Sequence, residues 1–256
     1  MTYLDAMVAA ARLDVQARRL ARPLAELAWC QEPQRASFEQ ALREPQMSLI
    51  AEFKRRSPSA GAIGESELAD TISAYELGGA SAISVLTDFT HFQGSLDDLV
   101  NAAAITRLPL LRKDFIVDDY QIVEARQTGA SAVLLIVAAL ASSELNHLYD
   151  YASETGLDVL VEVHTDHELD AALDIGAPMV GINSRNLHDL TVDLETSIRL
   201  ARLVPDGVVR VAESGIKTST DVRRLEDCGF DAILVGESLL RSPDPAAACR
   251  ILMQPA

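Results

Sequence analysis

The chain has 256 residues, 48% of them hydrophobic and 23% charged, enough apolar material for a sizeable core, which excludes a disordered or fibrous protein. Its 22 basic and 38 acidic side chains leave a net charge of −16, without a dense Lys/Arg block or a basic stripe interleaved with aromatics. That pattern argues against nucleic acid and anionic membranes as partners, and the odd, widely spaced Cys30, Cys228 and Cys249 suggest neither a disulfide framework nor a cysteine zinc site.

Residues 1–47 carry apolar positions at helical spacing in YLDAMVAAARLDVQARRLARPLAEL, with Arg18, Arg19 and Arg22 read as a solvated face. The next stretch, AWCQEPQRASFEQALREPQ, breaks at Pro33 and Pro45. One or two helices packed on the main body are expected here, an extension rather than a targeting peptide. From Ser48 onward short apolar runs alternate with helical patterns: SLIAEF, ASAISVL, LPLLRK, SAVLLIV, LDVLVEV, PMVGIN, GVVRVAE and DAILVG. The intervening segments 66–77, 96–106, 118–128, 142–154, 166–174, 193–204 and 219–228 read as helices, several opening on Ser or Asp as N-caps. Gly78, Gly129, Gly156, Gly176 and Gly229 follow them in positions suited to left-handed C-caps.

Apolar runs without alternation imply strands buried on both faces, as in a parallel sheet covered by helices. Eight strand-then-helix units of about 25 residues match the repeat of a (β/α)8 TIM barrel. The expected fold is therefore α/β, with residues 48–256 as the barrel and 1–47 as its helical extension. A doubly wound open sheet is the alternative, but no GxGxxG follows the first run. The longest apolar run, SAVLLIVAAL, is far short of the roughly 20 residues that span a bilayer, and no signal stretch opens the chain, so the cytoplasm is the expected compartment.

In such a barrel the C-terminal strand ends converge on the site. Here the runs end in Glu52 with Lys54, Arg112-Lys113-Asp114, Glu162, Asn183 with Arg185 beyond, Glu213-Ser214-Gly215, and Gly236-Glu237-Ser238. Residues two apart on a strand share a face, which groups Glu52 with Lys54, Leu111 with Lys113, Leu160 with Glu162, and Val211 with Glu213. Arg112 points the other way from Lys113, and Asp114 is expected to shape the loop. A ring of barrel-closing salt bridges is the structural alternative; the whole set fits a catalytic mouth better. The loops AESGI and VGES occupy the positions where barrels often hold phosphate through backbone N–H groups, with Ser57 or Ser214 adding hydroxyl donors. Phe92 and Phe115 follow strands on the same end and suit either core packing or stacking on an aromatic substrate.

Two matches are set aside. SGIK (214–217) has the spacing of an acylating serine without the accompanying motifs. HTDH places His164 and His167 at a helix start without HExxH or a third acidic ligand at a recognised spacing, so no metal is expected.

The motifs IAEFKRRSPSAG, SVLTD with FQGS, LPLLRKDFIVDDYQI, VLVEVH, VGINSRNL, VAESGI and ILVGESL, in this order, closely resemble the indole-3-glycerol-phosphate synthase family of tryptophan biosynthesis. The resemblance implies a decarboxylating, dehydrating ring closure of 1-(2-carboxyphenylamino)-1-deoxyribulose 5-phosphate. It implies no metal or organic cofactor, and no obligate protein partner is evident. By the same resemblance Lys113 is the general acid, Glu162 the acid/base of the dehydration, and Lys54 the grip on the substrate carboxylate. Glu52 and Asn183 orient these groups, Glu213 belongs to the same charged network, and Arg185 stands beside them. Ser57, Ser214, Gly215, Gly236 and the backbone of Glu237 match phosphate-binding positions, while Phe92 and Phe115 match contacts to the anthranilate ring. Burial and mutual contact are expected to tune Lys54, Lys113, Glu52 and Glu162. A Schiff-base aldolase and a non-catalytic phospholigand sensor are the rival readings.

Overall fold

The computed structural model describes residues 2–27, 36–57, 61–62, 67–186 and 190–254; Cys30, Pro33 and Ser66, used above, lie outside the described residues. Eight parallel strands close into a barrel: β1 (Ser48–Phe53), β2 (Ala82–Leu86), β3 (Leu110–Lys113), β4 (Ala132–Ile136), β5 (Asp158–Val163), β6 (Met179–Asn183), β7 (Val209–Glu213) and β8 (Ala232–Val235). Each strand pairs with its neighbours in sequence, and β1 closes the circle by pairing with both β2 and β8. These are the eight apolar runs. A short antiparallel ribbon, Arg56–Ser57 with Gly61–Ala62, follows β1.

Each strand is lined on both sides, which is why its sequence does not alternate. Ile50, Leu111, Leu134, Leu160, Met179, Val211 and Leu234 point inward into one cluster. Leu49, Ile83, Leu110, Val133, Val159, Val180 and Ile233 belong to a second, between sheet and helices. Helix α1 (Tyr3–Ala21) opens on a Thr2/Asp5 capping box, and its Leu4 and Met7 join the inner cluster beside Phe115 and Ile136, above the strand ends. Helix α2 (Phe38–Leu42) plugs the opposite end with the fully buried Phe38 and Leu42. It is pinned there by Ser37 Oγ donating to Asp158, at the start of β5, over 2.9 Å.

The remaining helices are α3 (Leu68–Leu77), α4 (Phe89–Phe92), α5 (Leu96–Ile105), α6 (Asp119–Gln127), α7 (Ser142–Glu154), α8 (Asp166–Asp174), α9 (Leu194–Ala201), α10 (Ser219–Asp227), α11 (Glu237–Leu240) and α12 (Pro245–Leu252). The short α4 and α11 and the closing α12 add to the seven read from sequence. Asp118 and Asp193 cap their helices as expected, whereas α8 and α10 are capped one residue earlier, by Thr165 and Thr218.

Two expectations are corrected. Gly78 is right-handed at φ −78°, and the left-handed residue is Gly79 at φ +88°. Gly78 is needed for closeness instead: a Cβ there would lie 2.7 Å from Cys249 Cβ on α12. The arginines of α1 are not simply solvated. Arg18 donates to both oxygens of the buried Glu124 on α6, at 2.8 and 3.2 Å, and Arg19 pairs with Asp118 at 2.8 Å. Their partners lie about a hundred residues downstream, beyond the reach of a helical-face pattern. Among the described residues no helix is long and apolar enough to cross a membrane. Cys228 and Cys249 are free thiols.

Candidate active site

Toward the C-terminal end of the barrel the inward-facing row changes from apolar to polar or open. Ile50 is followed by Glu52, Leu111 by Lys113, Leu160 by Glu162, Val211 by Glu213, and Leu234 by Gly236. The last inward side chain before solvent is thus polar on four strands whose preceding inward layer is hydrocarbon. Every residue singled out from sequence for this site lines one cavity of about 970 Å³, together with Met7 from α1 and Ile136 from β4. Met7 was not foreseen, because nothing in α1 marks which of its apolar side chains reaches the strand ends.

Lys113 stands in the middle of the charges. Its Nζ lies 3.4 Å from Glu162 Oε2 and 3.4 Å from Glu213 Oε2. Lys54 Nζ donates to Glu52 Oε1 over 2.5 Å, and Asn183 Nδ2 donates to Glu162 Oε1 over 3.1 Å. Burial lowers the pKa of Lys113, but the carboxylates of Glu213, Glu162 and Glu52 outweigh it and hold the ammonium above its ordinary value. Glu162 is the reverse case: burial raises it, and Lys113, His164 and Asn183 pull it well below the usual carboxylate range. Glu213 stays raised, because burial and the like charges of Glu162 and Glu52 exceed the pull of Lys113. The same cluster thus drives two neighbouring carboxyls apart, Glu162 downward and Glu213 up to about 8.

Two glycines make this arrangement fit. A Cβ on Gly181 would lie 2.3 Å from Glu213 Oε1, and a Cβ on Gly236 would lie 2.6 Å from Glu52 Oε1. Gly181 was missed in the sequence, where it reads as an ordinary small residue inside an apolar run. Gly181→Ala is expected to leave stability within about 1 kcal/mol of the parent, since the obstructed atom ends a flexible side chain. Activity should fall more than stability does, because Glu213 has to leave Lys113; thermal denaturation and steady-state kinetics on the same variant check both halves.

The charged run that ends β3 divides by face, as alternation requires. Lys113 enters the cavity; Arg112 turns outward and is 1% exposed. Arg112 Nη2 pairs with Asp114 at 2.8 Å, Nη1 with Glu124 at 3.2 Å and with the Gln121 carbonyl at 2.6 Å. Asp114 also accepts from Thr87 Oγ1 at 2.7 Å and from the Phe115 N–H at 2.8 Å. Both neighbours of Lys113 are therefore tied down by buried hydrogen bonds.

Aromatic rings form one wall. Asp88 caps α4, accepting from the His91 and Phe92 N–H groups, and the Phe92 and Phe115 ring centroids lie 6.5 Å apart. Opposite them run the loops after β7 and β8. Ser214 at φ +65° and Gly215 at φ +81° form a tight left-handed turn, which costs roughly 1–2 kcal/mol at a serine. The Glu237 carboxylate turns away to Arg241 at 3.1 Å, leaving its backbone N–H at the start of α11. Arg185 reaches back across its own loop to the Leu190 carbonyl at 3.1 Å, and its N–H donates to Asn183. Among the described residues no group of three or more His, Cys, Asp or Glu side chains is placed to hold a metal ion.

A closed (β/α)8 barrel whose ionisable groups gather at the C-terminal mouth has the form of a TIM-barrel enzyme. Residues 4–252 match the family model described as indole-3-glycerol phosphate synthase. Proteins of that name from Mycobacteroides abscessus and Chlorobium luteolum are 46% and 49% identical to the chain over 250 residues, covering 96% and 95% of it and 92% and 95% of their own lengths. The chain belongs to the indole-3-glycerol phosphate synthase family. More distant structures share the fold alone: thiamine phosphate pyrophosphorylase from Pyrococcus furiosus (18% identity, TM-score 0.61, 84% of this chain and 95% of that one) and a mutant tryptophan synthase α-subunit from the same organism (14%, 0.62, 80% and 97%).

Proposed function

We propose that this mouth carries out the family's ring closure with Lys113 as general acid and Glu162 as acid/base. The observation that supports this most is the position of Lys113 Nζ, 3.4 Å from Glu162 and 3.4 Å from Glu213 at the centre of the cavity. When the ring carbon bearing the carboxylate attacks the ribulose ketone, negative charge develops on the ketone oxygen, and an ammonium there stabilises it and donates a proton. CO2 then departs from that carbon and leaves its bonding electrons in the ring. Loss of water follows: the ring nitrogen's electron pair expels the hydroxyl formed from the ketone, which leaves as water on a proton from Glu213, and Glu162 takes the proton from the neighbouring ring carbon to complete the pyrrole.

In this reading Lys54, held by Glu52, grips the substrate carboxylate, and Asn183 and Arg185 orient the groups around Glu162. Phe92 and Phe115 flank the anthranilate ring. The phosphate rests on the N–H groups of Gly215, Gly236 and Glu237, with hydroxyls from Ser57 and Ser214; the Glu237 carboxylate, turned to Arg241, leaves that helix start clear for a phosphorylated small molecule. Residues 1–47 act as an extension that closes the mouth through Met7, and the free thiols suit a reducing cytoplasm.

The test is purified protein with the carboxyphenylamino-deoxyribulose phosphate in chelator-containing buffer, following indole fluorescence. Wild type should form product and Glu162→Gln should lose about 10²- to 10⁴-fold in kcat. Near-normal kcat in Glu162→Gln would remove its assigned role, and a substrate adduct trapped on Lys54 or Lys113 by borohydride would favour Schiff-base chemistry instead.

A further inference from the structure

His164 has no part in the steps above, yet it is a half-buried titratable group against one of their residues. It follows β5 at the turn into α8. Its backbone N–H donates to Glu168 Oε2 at 2.8 Å, and its ring Nδ1 lies 3.1 Å from the same oxygen. On the other side Nε2 lies 3.3 Å from Glu162 Oε1, the oxygen that also accepts from Asn183. Glu168 is itself held by Thr165, which donates to its Oε1 at 3.0 Å.

A neutral imidazole has one N–H and one lone pair, so it would set a lone pair against one of these two carboxylates. The imidazolium alone sets positive charge and no lone pair against both, as an ion pair at Glu162, to which Nε2 is close but not aligned as a hydrogen bond. Burial lowers its pKa, and Glu162 and Glu168 outweigh that and raise it to about 10. The charged groups around it are Glu162 from β5 and Glu168 from α8, with Lys113 from β3 next beyond Glu162, 3.4 Å from the other carboxylate oxygen. Glu162 is thus bracketed, with Lys113 on Oε2 and His164 on Oε1.

We propose that His164 is a positioning residue for Glu162: clamped by Glu168, it stands as a fixed cation behind the carboxylate, setting its direction and keeping it ionised. The proposal rests on the reading of Glu162 as the acid/base. Lys113 surrenders its charge when it protonates the ketone oxygen, whereas His164 keeps its own, so Glu162 gains basicity during the cycle without losing its anchor. The signal in the sequence is the spacing, Glu162 and His164 on either side of Val163 at a strand end with Glu168 one helical turn on; it reads as a failed metal motif until the partners are seen.

The experiment compares His164→Gln, Glu168→Gln and Glu162→Gln with wild type, measuring kcat, KM, the pH profile of kcat and thermal stability. His164→Gln should lower kcat about 10- to 100-fold with little change in KM. It should also move the acid limb of the kcat profile to higher pH by about one unit, because removing a cation beside a carboxylate raises its pKa. Glu168→Gln, which loosens the clamp and keeps the imidazole, should shift both in the same direction by less, and it carries the test if His164→Gln does not fold. Folded variants at both positions with wild-type kcat and an unmoved acid limb would overturn the proposal. A Glu162→Gln variant with wild-type kcat would overturn it together with the reading beneath it, and that outcome is read independently of the His164 variant.

Discussion

Lys113→Ala is expected to reduce kcat by about 10²- to 10⁴-fold, the usual contribution of a positioned general acid. The site does not ease the proton off this lysine. Three carboxylates hold it above its ordinary value, so it is protonated throughout the neutral range. Its usefulness lies in timing: a ketone oxygen is a negligible base, but the alkoxide formed as the carbon–carbon bond closes is basic enough to take a proton even from a reluctant ammonium. The basic limb of kcat/KM should accordingly lie above the range of an ordinary lysine, and a pH series on wild type checks it. The variant should remain folded, because the vacated space opens to the cavity and the loss of Lys113 raises Glu213 further, so it is left neutral rather than as an unpaired buried charge. A loss below about tenfold would shift the principal acid to Lys54.

Arg112→Met is expected to cost roughly 3–5 kcal/mol of stability, the penalty for removing one partner from a buried ion-pair network. The residue is 1% exposed, and Asp114 and Glu124 would be left buried with no guanidinium between them. Arg18 would still reach Glu124 from α1, at 2.8 Å, so Asp114 bears the larger loss. At about 2–4 °C per kcal/mol for a domain of this size, the melting temperature should drop by about 10 °C. By contrast Arg199→Ala, which removes an exposed pair with Asp166, should leave the melting temperature almost unmoved, because solvent and salt screen the pair. Thermal melts of the two variants side by side separate buried from exposed charge; a small effect at Arg112 would mean that water reaches the network.

The resemblance to a known family was legible because its motifs are strand ends, and a strand end is a local object. Hydrophobic continuity marked each run as buried on both faces, and the period of two told which terminal side chain shares a face with the core. That reasoning put Lys113 and Arg112 on opposite faces and grouped Glu52 with Lys54, Glu162 with Leu160 and Glu213 with Val211; the closed barrel then made that face the inner one. It was poorer at glycines and helix starts. Gly78 was read as a conformational cap when its purpose is to let α12 approach, and the caps of α8 and α10 are threonines one residue before the Asp and Ser that open the helical patterns.

The sequence by itself determined the barrel, its eight strands and the identity of the side chains delivered to its mouth, because alternation and burial act over a few neighbouring residues. Only the tertiary structure decided which of those charges meet: that Glu162 lies between Lys113 and His164, that Gly181 vacates the space Glu213 occupies, that Arg18 joins Arg112 on Glu124, and that Met7 lines the cavity. These pairings join separate strands, loops and helices, most of them far apart in the chain. Their energies come from desolvation and distances of about 3 Å, which no local pattern of residues encodes.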